Sequence, residues 1–223
     1  MPEPLVLDVY YSFRSPFCYL ATPRLSSWQE KYNIKIRLRP ILPLVVRKPQ
    51  FFQKANSMMV DYHNMDAHRV AEHLGLPFPG RWADPDPVVV ELVDGVQTMG
   101  QQQPYIFRLT YLGVLAEERG CGIQFAKEVS SLIWSTKDWH QGVQLAEAVE
   151  RAGLDLVEMD QVIEREAARL REVVDANQDS LTAAGHWGVP VVVFNDEPFF
   201  GQDRLDMVLW RLKQHGLKEG NED

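Results

Sequence analysis

Apolar residues form short, dense runs near both ends of the chain and follow a helical period between them. Residues 4–10, PLVLDVY, are an almost continuous apolar run of strand length, and IKIRLRPIL at 34–42 alternates apolar with basic residues. Both patterns are typical of β-strands. At 188–200, GVPVVVFNDEPFF predicts two strands joined by an Asn-Asp turn, and the residues after it predict a terminal amphipathic helix.

The middle of the chain, from about 50 to 185, is mostly helical in pattern, as in YIFRLTYLGVLAEERG, FAKEVSSLIW and QLAEAVERAG. One long segment places apolar residues at helical spacing and predicts a continuous apolar face: Met159, Val162, Ile163, Ala167, Leu170, Val173 and Val174. The Pro-rich stretch PFPGRWADPDPVV predicts a loop within this block.

The order of these elements predicts a fold. Without the helical block, a β-α-β unit is followed by a β-β-α unit, which is the plan of a thioredoxin fold. We therefore predict an α/β protein, a thioredoxin fold with a large inserted all-helical domain. Residues 1–45 and 186–223 would form the discontinuous thioredoxin-like domain and share one four-stranded sheet, and residues 46–185 would form the inserted helical domain.

Composition excludes several classes of partner. The formal net charge is -8 and the pI is about 5.3, which argues against nucleic acid or an anionic membrane surface as the main partner, but leaves room for a small basic site. No apolar run approaches the roughly 20 residues of a membrane-spanning helix, and the first residues do not resemble a secretory signal. With only two cysteines, Cys18 and Cys121, we expect a cytoplasmic protein without a disulfide framework.

The stretch SFRSPFCYLA, residues 12–21, joins the first predicted strand to a helix. Ser15 before Pro16 is an ordinary helix N-cap, and capping alone is the simplest interpretation. A helix N-terminus also favours an anion such as a thiolate. A serine at this position, where many redox proteins have the first cysteine of a Cys-Pro-x-Cys pair, removes the intramolecular dithiol but provides a hydroxyl for an external thiolate.

Other candidate residues have a plain structural explanation. Cys18, three residues into the helix, is more often a small buried residue than a reactive one. His63, His68 and His73 are five residues apart, about 140° around a helix, so neighbours do not share a face and no metal site is predicted.

Two motifs near the C-terminus complete the set of candidates. Val189-Pro190 precedes a β run, and from this dipeptide alone a trans bond is the default. Gln202 and Asp203 lie where the last strand leads into the final helix, and an aspartate there favours the positive end of the helix.

Taken together, YYSFRSPFCYLA and the downstream GHWGVPVVVFNDEPFFGQDRLDMV resemble the kappa-class glutathione transferases and 2-hydroxychromene-2-carboxylate isomerases. These are relatives of the DsbA-like thioredoxin-fold oxidoreductases. The resemblance covers nearly the whole chain and implies that glutathione is the cofactor and that the protein is a homodimer.

The resemblance also implies roles for individual residues. Ser15, the candidate catalytic residue, would donate its hydroxyl to the glutathione sulfur and keep it as a thiolate. Val189, before a cis-Pro190, would pair its backbone with the cysteinyl part of the tripeptide. Gln202 and Asp203 would hold the γ-glutamyl end.

Asn56, with Lys54 as a neighbour, is the best match to a further polar contact with glutathione. The chain also departs from the family at three places. Arg14 replaces an apolar residue, Cys18 replaces a common serine, and the segment 81–103 differs where a substrate pocket would be walled.

The function implied is a glutathione-dependent isomerase or transferase acting on a small aromatic or unsaturated acid, with glutathione as a recovered covalent catalyst. A DsbA-like thiol-disulfide oxidoreductase that uses Cys18 is the alternative. A non-catalytic binding module is a third interpretation, and the substrate itself stays open.

Overall fold

Strands from the two ends of the chain form one sheet in the computed structural model, which describes residues 3–48, 57–80, 82–93 and 96–218. In chain order its elements are β1 (Leu5–Tyr11), α1 (Pro16–Lys31), β2 (Ile34–Pro40), α2 (Leu44–Arg47), α3 (Ser57–Leu74), β3 (Val90–Val93), β4 (Val96–Met99), α4 (Ile106–Glu118), α5 (Gly122–Ser135), α6 (Gln144–Arg151), α7 (Leu156–Ala183), β5 (Val191–Phe194), β6 (Glu197–Phe200), a 3₁₀ turn (Gln202–Arg204) and α8 (Leu205–Gln214). One four-stranded sheet shared by the two ends of the chain was predicted, and the structure gives it the strand order β2-β1-β5-β6.

Pairing within the sheet follows the thioredoxin plan. β1 runs parallel to β2, from Leu5 opposite Ile34 to Tyr11 opposite Pro40, and antiparallel to β5, which forms a hairpin with β6. The α/β class and the thioredoxin-like fold predicted from the sequence are therefore confirmed.

The polar interruptions in β1 and β2 explain one another. Asp8 pairs with Arg37 directly across the two strands, and it also accepts a hydrogen bond at 2.7 Å from Arg39 Nε. Because side chains alternate between the faces of a sheet, the two arginines share the face of Asp8 while the intervening apolar residues enter the core.

The segment between the two halves of the sheet is mainly helical, but the all-helical prediction was wrong at β3 and β4. These strands pair as an antiparallel hairpin, with Val90 opposite Met99. The sequence VELVDGVQTM places β-branched residues on both sides of Asp-Gly, which is a hairpin signal that the helical interpretation overlooked. The domain boundaries at 45 and 186 stay a prediction.

The predicted apolar face of α7 is present with one break. Met159, Leu170 and Val174 are buried, whereas Ala167 is exposed. The backbone leaves helical geometry at Glu166 (φ -124°, ψ 18°). This break changes the direction in which the following side chain points, so Ala167 does not continue the buried face. In the described ranges, no helix combines the length and the apolar character needed to cross a membrane.

Candidate functional site

Ser15 is the N-cap of α1, as its sequence context predicts. Its Oγ accepts from Cys18 N–H at 3.3 Å, and its own N–H donates to Ser12 O at 3.0 Å. A hydroxyl that accepts in the cap still has its own hydrogen to donate. The next amide along the helix, Phe17 N–H, has no acceptor among the described residues. The first turn of α1 therefore presents an O–H and an N–H donor at its positive end.

Cys18 lies on the same turn but in a different environment. Its side chain is fully buried, and its Sγ accepts from Ser12 N–H at 3.5 Å. Burial raises the pKa of the Cys18 thiol to about 12, against the weaker opposing effect of hydrogen bonds from Ser12 and Ser15. The prediction that Cys18 is a small core residue is confirmed.

The Val189–Pro190 peptide bond is cis, which is the geometry implied by the family resemblance. Val189 makes no backbone hydrogen bond to another described residue, so its N–H can donate to a ligand and its C=O can accept from one. The adjoining Gly188 fits closely against the sheet, because a Cβ there would lie 2.6 Å from Phe200 Cε2.

A cavity of about 250 Å³ joins these two segments. It lies among the N-terminus of α1, the short helix α2, the first turns of α3, the loop around residue 82 and the loop before β5. Its lining is mainly apolar: Pro16, Pro43, Leu44, Met59, Val60, Trp82, Trp187, Gly188, Val189 and Phe200, together with the polar residues Ser12, Arg14, Ser15, Arg47 and His63. The helix α3 thus covers part of the cavity at the Ser15 end of α1.

The charge in this cavity is positive, in contrast to the whole chain. None of the described residues that line it is acidic, and two are arginines. Arg14 is neutralised by Asp86 through bonds of 2.8 Å from both Nε and Nη2, and its guanidinium lies 5.3 Å from the ring centroid of Trp82. Among the described residues, Arg47 donates only to backbone carbonyls.

His63 adds a titratable group to the cavity wall. Its ring packs edge-on against Phe17, with 4.8 Å between centroids, while its open side faces the cavity. Loss of hydration lowers the pKa of His63, and nearby Arg14 acts in the same direction against the opposing effect of Asp66. The imidazole is therefore neutral at pH 7.

The residues expected to bind the γ-glutamyl end lie next to the cavity but do not line it. Gly201 N–H donates to Pro190 O at 2.9 Å, and this bond brings the 3₁₀ turn that carries Gln202 and Asp203 beside the cis-proline. Gly201 has φ +101°, a conformation that glycine adopts readily. Asn56 and Lys54 lie outside the described residues.

Sequence reasoning missed Arg47 and Trp82 and considered His63 only as a metal ligand. Arg47 follows directly on an apolar run, LPLVV, and a cation at the end of such a run is the signal that could have drawn attention to it. Arg14, one of the departures from the family, proves to be tied to the divergent segment through Asp86. No group of metal-binding side chains was found in the described part of the chain.

The profile of the DSBA-like thioredoxin domain matches residues 6–213, nearly the entire sequence. The chain belongs to this family.

The proteins most relevant for comparison with this chain are named either as isomerases or as a disulfide reductase. The 2-hydroxychromene-2-carboxylate isomerase of Pseudomonas putida is 25% identical over 210 residues, which is 92% of each protein. A solved 2-hydroxychromene-2-carboxylate isomerase has a TM-score of 0.66 at 22% identity, covering 94% of this chain and 95% of that one. The cytosolic disulfide reductase DsbM of Pseudomonas aeruginosa, in a structure with glutathione, has a TM-score of 0.55 at 15% identity, covering 94% and 100%. These similarities confirm the resemblance drawn from the sequence.

Proposed function

We propose that this protein binds glutathione and acts on a small aromatic or unsaturated acid, as an isomerase or transferase of the 2-hydroxychromene-2-carboxylate isomerase type. The observation that carries the proposal is the placement of Ser15. Its hydroxyl caps α1 as an acceptor, retains a hydrogen to donate, and lines a cavity with no acidic residue among the described lining. The neighbouring Cys18 is too deeply buried to react with a bound thiol.

Several described groups fit glutathione. Ser15 O–H and Phe17 N–H are donors at the positive end of a helix, where a thiolate is favoured. The backbone N–H and C=O of Val189, which pair with no described residue, suit an extended peptide that binds in the manner of strand addition. Asp203 is an exposed carboxylate near this edge and suits the ammonium of a γ-glutamyl group. The binding of glutathione by DsbM, which shares the fold, adds support.

When bound, glutathione would supply a thiolate that adds reversibly to an activated double bond. Ser15 holds the sulfur in its charged form by donating a hydrogen bond. His63 is neutral and faces the same cavity, so its imidazole can accept or return a proton during the reaction. The apolar walls, among them Trp82 and Phe200, suit an aromatic body.

The oxidoreductase alternative is disfavoured by the surroundings of Cys18. A redox cysteine needs an accessible thiol of low pKa, whereas this thiol is fully buried and has a raised pKa. Position 15 also lacks the second thiol of an intramolecular cycle. The homodimer and the cytoplasmic location expected from the sequence stay predictions.

Ser15→Ala should raise the thiol pKa of bound glutathione by about one to two units. A hydrogen bond to a charged group contributes about 1.5–3 kcal/mol, and 1.36 kcal/mol corresponds to one pKa unit. The measurement is the ultraviolet absorbance of the thiolate in the glutathione complex as a function of pH. Cys18→Ala should leave this pKa nearly unchanged.

Asp155→Ala is a matched control for the loss of a helix cap, because Asp155 caps α7 by accepting from Glu158 N–H at 3.0 Å. Both cap variants should lose about 1 kcal/mol of stability, but only Ser15→Ala should change the glutathione pKa. An unchanged pKa in Ser15→Ala would reduce Ser15 to a structural cap. Assays of 2-hydroxychromene-2-carboxylate isomerisation and of mixed-disulfide reduction separate the two catalytic candidates, and inactivity in both with glutathione bound favours a binding module.

A further inference from the structure

Arg47, at the end of α2, is a half-buried cation in the cavity wall whose charge is not neutralised by the described residues. Its Nε donates to Leu42 O at 2.7 Å and its Nη2 donates to Trp187 O at 2.9 Å. Both acceptors are neutral backbone carbonyls. Arg14, the other arginine of the cavity, has a bidentate carboxylate partner in Asp86.

The two carbonyl bonds fix the orientation of the Arg47 side chain without using all of its donors. A guanidinium has five N–H groups, so three are left, including at least one on each terminal nitrogen. This pair of donors matches the two oxygens of a carboxylate. The carbonyls belong to the segment after β2 and to the loop before β5, so the guanidinium is held between the two halves of the thioredoxin-like fold.

An unpaired cation in such a wall has an energetic cost. Burial lowers the pKa of the Arg47 side chain, which shows that its surroundings disfavour the charge. An anionic ligand entering the cavity would remove that penalty and would meet no acidic lining residue among those described.

We infer that Arg47 binds a carboxylate of the ligand and thereby orients it with respect to Ser15 in the same cavity. The inference rests on the proposed function in one respect, since that function supplies two sources of the carboxylate: the organic acid substrate and the glycine end of glutathione. The shared chemistry is a carboxylate paired with the two terminal nitrogens of the guanidinium.

Calorimetric titration with two pairs of probes tests this inference and separates the two sources. The first pair is 2-hydroxycinnamate and its methyl ester, and the second is glutathione and its glycine monoethyl ester. If Arg47 binds the substrate carboxylate, the first pair should show a difference, and if it binds the glycine carboxylate of glutathione, the second pair should. In that pair, wild type should bind the acid about ten- to a hundredfold more tightly than the ester, as expected for charge-assisted hydrogen bonds. Arg47→Gln should abolish this preference by weakening the acid alone, and Arg47→Lys should restore part of it.

Arg171→Gln is the matched control, because Arg171 is an exposed arginine on α7 that pairs with Asp175. This variant should bind all four probes like wild type. Equal weakening of acid and ester in Arg47→Gln would overturn the inference and show a purely structural role. The inference is also overturned if the wild-type protein binds acid and ester equally in both pairs. This second outcome needs no variant, so it does not depend on whether Arg47→Gln folds. If the protein does not bind glutathione, the proposed function fails. The 2-hydroxycinnamate pair does not depend on glutathione and still tests the inference about Arg47.

Discussion

Ser15 and Cys18 are three residues apart on one helical turn, yet their side chains have different surroundings. Ser15 lines the cavity, whereas Cys18 points into the core beneath the end of β1, against Tyr11 and Tyr19. The departure from the family at position 18 therefore lies in the core and not in the cavity lining. We therefore assign the proposed chemistry of the site to Ser15 and not to Cys18.

The native protein should react with a thiol-specific alkylating agent at Cys121 and not at Cys18. At pH 8 a thiol with a pKa of about 12 is ionised in only about one molecule in 10⁴, and Cys18 is also inaccessible, whereas Cys121 is partly exposed. Iodoacetamide followed by mass spectrometry should find one modified cysteine in the native chain and two in denaturant. Fast labelling of native Cys121→Ser protein would contradict this and revive the oxidoreductase alternative.

At the scale of elements, the ion pair Arg14–Asp86 links the segment 81–103, which departs from the family, to the start of α1. Asp86 Oδ1 also accepts from Val88 N–H at 2.9 Å, so one carboxylate shapes the chain before β3 and holds the arginine before Ser15. The neighbouring Pro85 O accepts from Trp139 Nε1 at 2.8 Å, which ties the same loop to the helical segment. This part of the cavity wall is thus held by specific polar contacts.

Asp86→Asn should lower the free energy of unfolding by about 2 kcal/mol, because it leaves a largely buried Arg14 without its counter-charge. Urea denaturation measures the change. Asp175→Asn removes the acid of an exposed i,i+4 pair and should cost less than about 0.5 kcal/mol. Similar losses in the two variants would mean that the Arg14 pair does not stabilise the segment.

For the whole molecule, an excess of 31 acidic over 23 basic residues coexists with a cavity that has no acidic lining among the described residues. Many acidic side chains are paired with arginines at the surface. Glu117 on α4 is different, since its carboxylate accepts from Leu38 N–H of the edge strand β2 at 3.0 Å. Burial raises the pKa of Glu117 above its ordinary value of 4.5, although that hydrogen bond and the nearby Arg39, Lys35 and Arg37 act in the opposite direction.

A raised pKa in the folded state means that folding favours protonated Glu117. Its favourable contribution is present below pH 4.5 and is lost as the pH rises through the folded-state pKa. Glu117→Gln keeps an acceptor for Leu38 N–H but removes the buried charge. This variant should therefore be more stable than wild type at pH 7 and about as stable at pH 4, as measured by urea denaturation at both values.

Glu118→Gln provides the neighbouring control, because exposed Glu118 pairs with Arg169. Removing that charge at pH 7 should leave stability unchanged or slightly lower. If Glu117→Gln instead loses stability relative to wild type at pH 7 but not at pH 4, the carboxylate stabilises the sheet edge as an anion.

The sequence by itself determined the strands, the helices and the cap of α1, because these depend on side chains within a few positions of one another. Period, turn residues and the Ser-Pro junction predicted a four-stranded sheet shared by the two ends of the chain, Ser15 as the cap of α1 and Cys18 within its first turn. The hairpin at β3 and β4 was missed although its signal was local. The cavity was decided only by the tertiary structure, since Arg47, His63 and Trp82 come from separate loops and helices that meet Ser15 after folding. The charge and burial of these three residues depend on neighbours that are distant in sequence, so no short-range sequence pattern predicts that they lie together.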